Sequence, residues 1–153
     1  MGMDMVITEK DILMATEVKI ETLQLIYNVF KKYMIQELRF RSPAISLRAV
    51  ASACGSNDKY LSMAIRSFSR EKTFYRYLTH LRLKYACYLL VKNPNYKIDY
   101  IANQCGILSR STFYRIFKNE YGRVPESVRA DFAGKEFTHL KFEEFDDEAF
   151  YGK

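Results

Sequence analysis

The chain has 153 residues, enough for one large domain or two small ones, with 48% hydrophobic residues and a formal net charge of +6. No stretch approaches the roughly 18 uninterrupted apolar residues of a membrane helix, and residues 1–16 lack the pattern of a secretory signal. Three widely spaced cysteines, Cys54, Cys87 and Cys105, indicate reduced thiols in the cytoplasm rather than a disulfide framework or a zinc site.

Charge is distributed unevenly along the chain. Residues 42–130 carry fifteen basic and five acidic side chains, a net charge of +10, whereas residues 131–153 carry three basic and seven acidic ones, a net charge of −4. A segment this basic favours a polyanionic partner. The alternative is a basic surface that serves solubility alone.

Apolar residues at spacings of three and four predict an all-α chain with no convincing strand. The first predicted helix covers about residues 18–40 and ends before Ser42-Pro43, because the residue before proline is disfavoured in the helical region. Ser46 is predicted to cap the next helix, which Gly55 ends, and Asp58 to cap a third. Four more helices are predicted, over about residues 73–92, 98–106, 109–121 and 125–129.

The last segment, residues 133–153, alternates acidic side chains with Phe137, Phe142, Phe145 and Phe150. A solvated extension, a packed cover and a docking segment are all compatible with this composition. Of the three, we favour a loosely ordered tail.

An internal repeat carries the functional argument. Val50-Ala51-Ser52-Ala53-Cys54-Gly55 lies 51 residues before Ile101-Ala102-Asn103-Gln104-Cys105-Gly106, and each copy is followed by a turn and a second helix. In a helix-turn-helix unit the first helix needs a small residue where the helices cross, here Ala51 or Ala102. The turn needs a residue that tolerates positive φ, here Gly55 or Gly106. The second helices would bury Leu61 with Ile65, and Phe113 with Phe117.

The spacing of the two units is also informative. A connecting helix of about 20 residues spans roughly 30 Å, close to the separation of about 34 Å between successive major grooves on one face of B-DNA. One chain would therefore place two recognition helices in adjacent grooves. The alternative is a helical bundle, formed by duplication, in which both hairpins serve packing only.

Beyond the repeat, the chain resembles the AraC/XylS-type family of regulators in its connecting helix and in its second unit. In the connecting segment, the family's long helix is matched by the pattern Phe74-x-x-Tyr77-Leu78-x-x-Leu81-Arg82-Leu83-x-x-Ala86-x-x-Leu89-Leu90. The family's second helix-turn-helix unit is matched by Ile98-x-x-Ile101-Ala102-x-x-x-Gly106 and Ser109-x-Ser111-x-Phe113-x-Arg115-x-Phe117-Lys118. Its closing signature is matched by Gly122-x-x-Pro125-x-x-x-Arg129. The resemblance covers about residues 45–130.

The resemblance implies a promoter-binding domain with two helix-turn-helix units, and it assigns roles to residues. The second recognition helix would present Arg110, Ser111, Tyr114 and Arg115 to the bases, and the first would present Lys59, Ser62 and Met63. An arginine in the major groove can pair bidentately with guanine. Phosphate contacts are expected from Arg66, Lys118 and the helix caps Ser46 and Ser109.

We therefore expect five segments along the chain. They are an N-terminal extension with an amphipathic helix packing on the first unit (1–44), the first unit (45–72), the connecting helix (73–93), the second unit with its closing helix (94–132), and the acidic aromatic tail (133–153).

Catalysis is not expected from this sequence. His80 and His139 lie far apart, without an adjacent nucleophile or carboxylate pair, and no phosphate-binding glycine loop, zinc motif or cofactor motif occurs. Arg82, between Leu81 and Leu83, is predicted to pair with a carboxylate or a carbonyl inside the domain.

The sequence thus predicts a bacterial, cytoplasmic transcription regulator that binds double-stranded DNA without enzymatic activity, cofactor or metal. Two alternatives stay open. One is an architectural or recombination accessory protein of a mobile element. The other is a helical protein-interaction module, whose N-terminal helix or acidic tail would contact RNA polymerase or another protein. The oligomeric state is open as well, since two reading units remove the usual need for dimerisation.

Overall fold

A computed structural model describes residues 8–134 and 141–151, without the side chains of residues 11–15 and 18. The predicted all-α class is confirmed, and no strand occurs in the described ranges. The helices are α1 (Glu9–Ile35), α2 (Leu47–Ala53), α3 (Asp58–Phe68), α4 (Phe74–Lys92), α5 (Ile98–Gln104), α6 (Arg110–Tyr121) and α7 (Pro125–Asp131). Short 3-10 turns cover Gln36–Arg41, Phe142–Glu144 and Glu148–Phe150. Of the helices described, none is long and apolar enough to cross a membrane.

The first helix differs from its prediction at both ends. It begins at Glu9 and ends at Ile35, several residues before the proline that was expected to stop it. Glu37 and Leu38 have φ values of 55° and 53°, in the left-handed region that an α-helix excludes. This reversal of the chain carries Phe40 into the core, where it is fully buried.

Side-chain caps begin most of the remaining helices. Ser46, Thr73 and Ser109 each accept a hydrogen bond from the backbone N–H three residues later, as the predictions for Ser46 and Ser109 require. The predicted cap of α3 was wrong by one residue. The side chain of Asn57, not Asp58, accepts from the Tyr60 N–H at 2.9 Å. Asp58 is instead the first helical residue, 3.5 Å from Arg48.

The two helix-turn-helix units pack as the repeat predicts. Ala51 and Ala102 are buried where the first helix of each unit crosses the second, and Gly55 and Gly106 have φ values of 71° and 83°. The expected pairs of large side chains are fully buried: Leu61 and Ile65 in α3, Phe113 and Phe117 in α6. The connecting helix α4 lies between the units and buries eleven of its nineteen residues.

The N-terminal helix packs along α3, and its Phe30 ring contacts Phe74 and Tyr77 at the start of α4. Leu23 and Tyr27 form a small cluster with Ala64 of α3, and the Tyr27 ring lies 6.0 Å from that of Phe68. Further along α1, the Phe30 ring packs against Tyr77, with the ring centres 4.8 Å apart and the planes tilted by 52°. The first recognition helix is therefore supported on one flank by α1.

A polar joint connects the end of the N-terminal segment to the second unit. The Arg82 guanidinium donates to the carbonyls of Phe40 and Ser42, at 2.8 and 2.7 Å, which confirms its predicted role inside the domain. Arg41 donates to the Gln104 carbonyl at 2.7 Å and to the side chain of the same residue. A Cβ at Gly106 would lie 2.5 Å from the Arg41 carbonyl oxygen, so this turn needs glycine for space as well as for its φ.

The tail is a packed cover over residues 141–151, and the favoured reading as a loosely ordered segment was wrong there. Phe142 is buried among the rings of Phe40, Tyr85 and Tyr88. Phe145 and Phe150 are buried too, the latter 4.6 Å from the Phe132 ring. Acidic composition did not decide the outcome, because every third to fifth residue is an aromatic ring that gains free energy from burial. Phe137 lies outside the described residues.

Candidate nucleic-acid interface

The second recognition helix, α6, presents a polar face to solvent. Its apolar side chains, Phe113, Phe117 and Tyr121, recur every fourth residue and point into the core. The opposite side carries Ser111, Arg115 and Lys118, all exposed and spaced by four and three residues, so that they share one face. Three of the residues predicted from sequence thus lie together on one surface.

The first recognition helix, α3, repeats this arrangement. Leu61, Ala64 and Ile65 are fully buried. Lys59, Ser62 and Arg66, spaced by three and four residues, share the other side; the lysine and the arginine are exposed and the serine is half-buried. A second, smaller basic face results.

Met63 is a predicted base-contacting residue that the N-terminal helix partly covers. It is half-buried and packs against the cluster that Leu23 and Tyr27 of α1 form with α3. This contact was not visible in the sequence, because Met63 lies more than thirty positions from Leu23 and Tyr27 and no periodicity relates them.

Two further predicted residues, Arg110 and Tyr114, are engaged in a network on the flank of α6. The Arg110 guanidinium donates to Asp99 of α5 at 2.8 Å and lies 5.1 Å from the centre of the Tyr114 ring. The Tyr114 hydroxyl donates to Glu126 of α7. Burial, together with this hydrogen bond, raises the pKa of Tyr114 to about 12, so the hydroxyl stays protonated. Asp99 and Glu126 thus hold the flanking pair, and sequence reasoning missed both of them.

The predicted phosphate contacts include the two serine caps. Ser46 and Ser109 each use their hydroxyl oxygen to accept a backbone N–H inside their own helix. The Ser109 hydroxyl also lies 3.1 Å from that of Ser111. The Ser46 hydroxyl retains a donor hydrogen for an external oxygen, since an accepting hydroxyl can still donate, and one hydroxyl of the Ser109–Ser111 pair does so as well.

The helix α4 connects the two units along the chain. Its nineteen residues correspond to roughly 28 Å at 1.5 Å per residue. This is slightly less than the separation of about 34 Å between successive major grooves.

A separate polar cluster ties the tail to the rest of the molecule. His80 of α4 lies 3.0 Å from Glu71 through Nδ1 and 3.0 Å from Asp147 through Nε2, and the Tyr121 hydroxyl donates to Asp147 at 2.8 Å. The expectation that His80 lacks carboxylate neighbours was therefore wrong. The tail, which the sequence left unplaced, supplies one of them.

This cluster has shifted proton equilibria. The hydrogen bond to Asp147 outweighs burial and raises the pKa of His80. Burial alone would raise the pKa of Asp147, but hydrogen bonds from His80 and Tyr121 hold it below its usual value. A cleft of about 580 Å³ adjoins the cluster and is lined mainly by acidic residues. Among the described residues no group suited to hold a metal ion occurs.

Comparison with known proteins gives one family and a consistent fold. A sequence profile described as a helix-turn-helix domain matches residues 50–131. The C-terminal domain of AraT, a response regulator from Geobacillus stearothermophilus, superposes with a TM-score of 0.60 at 22% identity, over 76% of this chain and 90% of that one. The C-terminal domain of the two-component response regulator YesN from Fusobacterium nucleatum superposes with a TM-score of 0.56 at 25% identity, over 71% of this chain and 98% of that one. No curated protein matches significantly.

Proposed function

Because this chain belongs to the AraC-type helix-turn-helix family, we propose that it regulates transcription by binding specific duplex DNA with α3 and α6 in adjacent major grooves. The observation that carries the proposal is a pair of basic faces, one on the second helix of each unit: Lys59/Ser62/Arg66 on α3 and Ser111/Arg115/Lys118 on α6. The net charge of +10 over residues 42–130 supports a polyanion as the ligand.

Within this proposal, α6 contributes most of the sequence reading. Arg115 and Ser111 contact base edges, and Lys118 contacts a phosphate. On α3, Lys59 and Ser62 are left for base contacts and Arg66 for the backbone, while Met63, packed against α1, adds at most an apolar contact at the rim. Phosphate contacts by Lys118, Arg66 and the amides behind Ser46 and Ser109 position the two helices without reading sequence.

Arg110 and Tyr114 complete the second reading face. The ion pair of Arg110 with Asp99 is largely exposed, with relative side-chain accessibilities of 64% and 58%. Exposed pairs of this kind contribute only about 0–1 kcal/mol. A bidentate contact of an arginine with guanine is worth about 1–3 kcal/mol of discrimination, so guanine can displace Asp99 from Arg110. Tyr114, held by Glu126, then offers its ring to a thymine methyl group.

This proposal involves no catalytic step, and the protein would act in the cytoplasm, where the promoter DNA is. RNA polymerase is a candidate partner of a DNA-bound regulator of this kind. The packed segment 141–151 makes its buried aromatic face unavailable to such a partner, and its exposed acidic residues remain.

The test is selection of bound duplexes from a randomised library in moderate salt, followed by affinity measurements on the selected site. We expect Arg115→Ala to weaken specific binding by about 1–3 kcal/mol and to relax preference at one base pair. Lys118→Ala is expected to weaken binding to all sequences alike and to reduce the dependence of log K on log salt by about 1.

A matched control is Arg70→Ala, which removes another exposed arginine, one that lines the acidic cleft beside the tail, and should leave DNA affinity unchanged. Equal affinity of the wild-type chain for all duplexes would reject sequence-specific regulation. Footprints at the ends of mobile elements, with strong bending of the DNA, would instead assign the architectural role.

A further inference from the structure

The side of α1 that faces away from α3 carries exposed aliphatic residues. Leu25 and Val29 are one turn apart and retain 66% and 48% of their accessible surface. On the same helix, Leu23, Tyr27 and Phe30 point the other way and are buried. The exposed pair is flanked on one edge by Glu21 and Lys32, which are also exposed. We call Glu21, Leu25, Val29 and Lys32 the outer face of α1.

The charges of the outer face do not satisfy each other within one chain. Glu21 and Lys32 are eleven residues apart, roughly 16 Å along the helix axis, which is too far for an ion pair. No ion pair between described residues involves either side chain. A helix that carries an acid at one end and a base at the other end of an apolar pair is complementary to itself in the antiparallel orientation.

We infer that a second copy of this chain docks on the outer face, with the two α1 helices antiparallel and related by a two-fold axis near residue 27. In this register Leu25 of each copy lies opposite Val29 of the other. Glu21 of each copy then lies beside Lys32 of the other, so the interface contains two identical ion pairs. A parallel arrangement would place like charges opposite each other, which is unfavourable.

The interface has a defined extent. With the axis near residue 27, residues 19–35 of the two copies overlap, roughly 25 Å of helix. This is at the small end of specific interfaces, and we expect a dissociation constant of about micromolar size. If the proposed function holds, the two-fold axis relates two bipartite DNA-binding bodies and favours sites that are inverted repeats.

The experiment is sedimentation equilibrium of the full chain without DNA, so that its outcome is independent of the proposed function. The wild-type chain should dimerise. Glu21→Lys and Lys32→Glu should each weaken self-association about tenfold, because either change turns two attractive pairs into two repulsive ones. An equimolar mixture of these two variants should form a one-to-one heterodimer, since one copy is then basic at both positions and the other acidic.

The matched control is Lys31→Glu, the same charge change one residue away, on a side chain that lies 5.0 Å from the Tyr27 ring on the inner side of α1. It should dimerise like the wild type. Leu25→Lys should be monomeric. At concentrations below the dissociation constant, where the wild type is monomeric as well, its melting temperature should be unchanged, because the leucine is outside the core. A wild-type chain that stays monomeric up to about 100 µM, or a mixture that stays monomeric, would overturn the inference.

Discussion

The two turn glycines offer a matched pair of perturbations. Gly55 and Gly106 occupy equivalent positions in the two units, with φ values of 71° and 83°. A Cβ at Gly55 would meet nothing within 4 Å, whereas a Cβ at Gly106 would lie 2.5 Å from the Arg41 carbonyl oxygen. Replacing each by alanine therefore separates the cost of backbone conformation from the cost of the close approach.

The expected magnitudes follow from these contacts. Gly55→Ala lowers the free energy of unfolding only by the cost of placing a residue with a Cβ in the left-handed region, about 1–2 kcal/mol. Gly106→Ala has the same conformational cost, and it also displaces the backbone at Arg41. The carbonyls on either side, those of Phe40 and Ser42, accept hydrogen bonds from Arg82. Losing one hydrogen bond to a charged group adds about 1.5–3 kcal/mol, so the total is about 3–5 kcal/mol.

Equilibrium unfolding in urea measures the free energy of unfolding of both variants, and an unchanged m-value would establish that the same surface is exposed on unfolding. A loss of about 3–5 kcal/mol is a large part of the 5–15 kcal/mol typical of a domain. If the two variants lost equal stability, the joint between the N-terminal segment and the second unit would contribute nothing, and the argument from close approach would fail.

Three further predictions concern the tail and the helix caps. Because the pKa of His80 is raised in the folded state, its contribution to stability is complete below the pKa of an unfolded histidine, about 6.5, and is lost as pH rises through the pKa of the folded state. Melting temperatures measured across this pH range should fall accordingly, and His80→Gln should abolish the fall. Phe142→Ala should cost about 3–5 kcal/mol in denaturant titrations, because it empties a buried aromatic site; a loss below about 1 kcal/mol would mean that the tail is dispensable. Asn57→Ala should destabilise the chain by about 1 kcal/mol and more than Asp58→Ala does, and the reverse order would restore the cap to Asp58.

Much of the candidate site was accessible from the sequence. The exposed and buried sides of α3 and α6 follow from apolar residues at spacings of three and four, and the positive φ of Gly55 and Gly106 follows from the repeat. The partners of Arg110 and Tyr114 were not accessible. Asp99 and Glu126 belong to other helices, and no local spacing connects a side chain to a residue eleven or twelve positions away across a turn.

The extensions on either side of the two units show the same division. For α1, the pattern located the helix but not its end, because the left-handed residues Glu37 and Leu38 are held by the burial of Phe40 rather than by a turn-forming sequence. For the tail, the acidic composition led to the prediction of a loosely ordered segment in solvent. Its aromatic residues fit between Phe40, Tyr85 and Tyr88, a set that exists only once the N-terminal segment and α4 have come together.

The sequence by itself determined the helices, two of their four side-chain caps and the buried side of each recognition helix, because these depend on residues within one or two turns of each other. Tertiary structure alone decided where α1 stops, what covers α4, and which surface of α3 remains free beside Met63. Those outcomes depend on the free energy of contacts between segments that are distant in the chain, and short-range periodicity carries no information about such contacts.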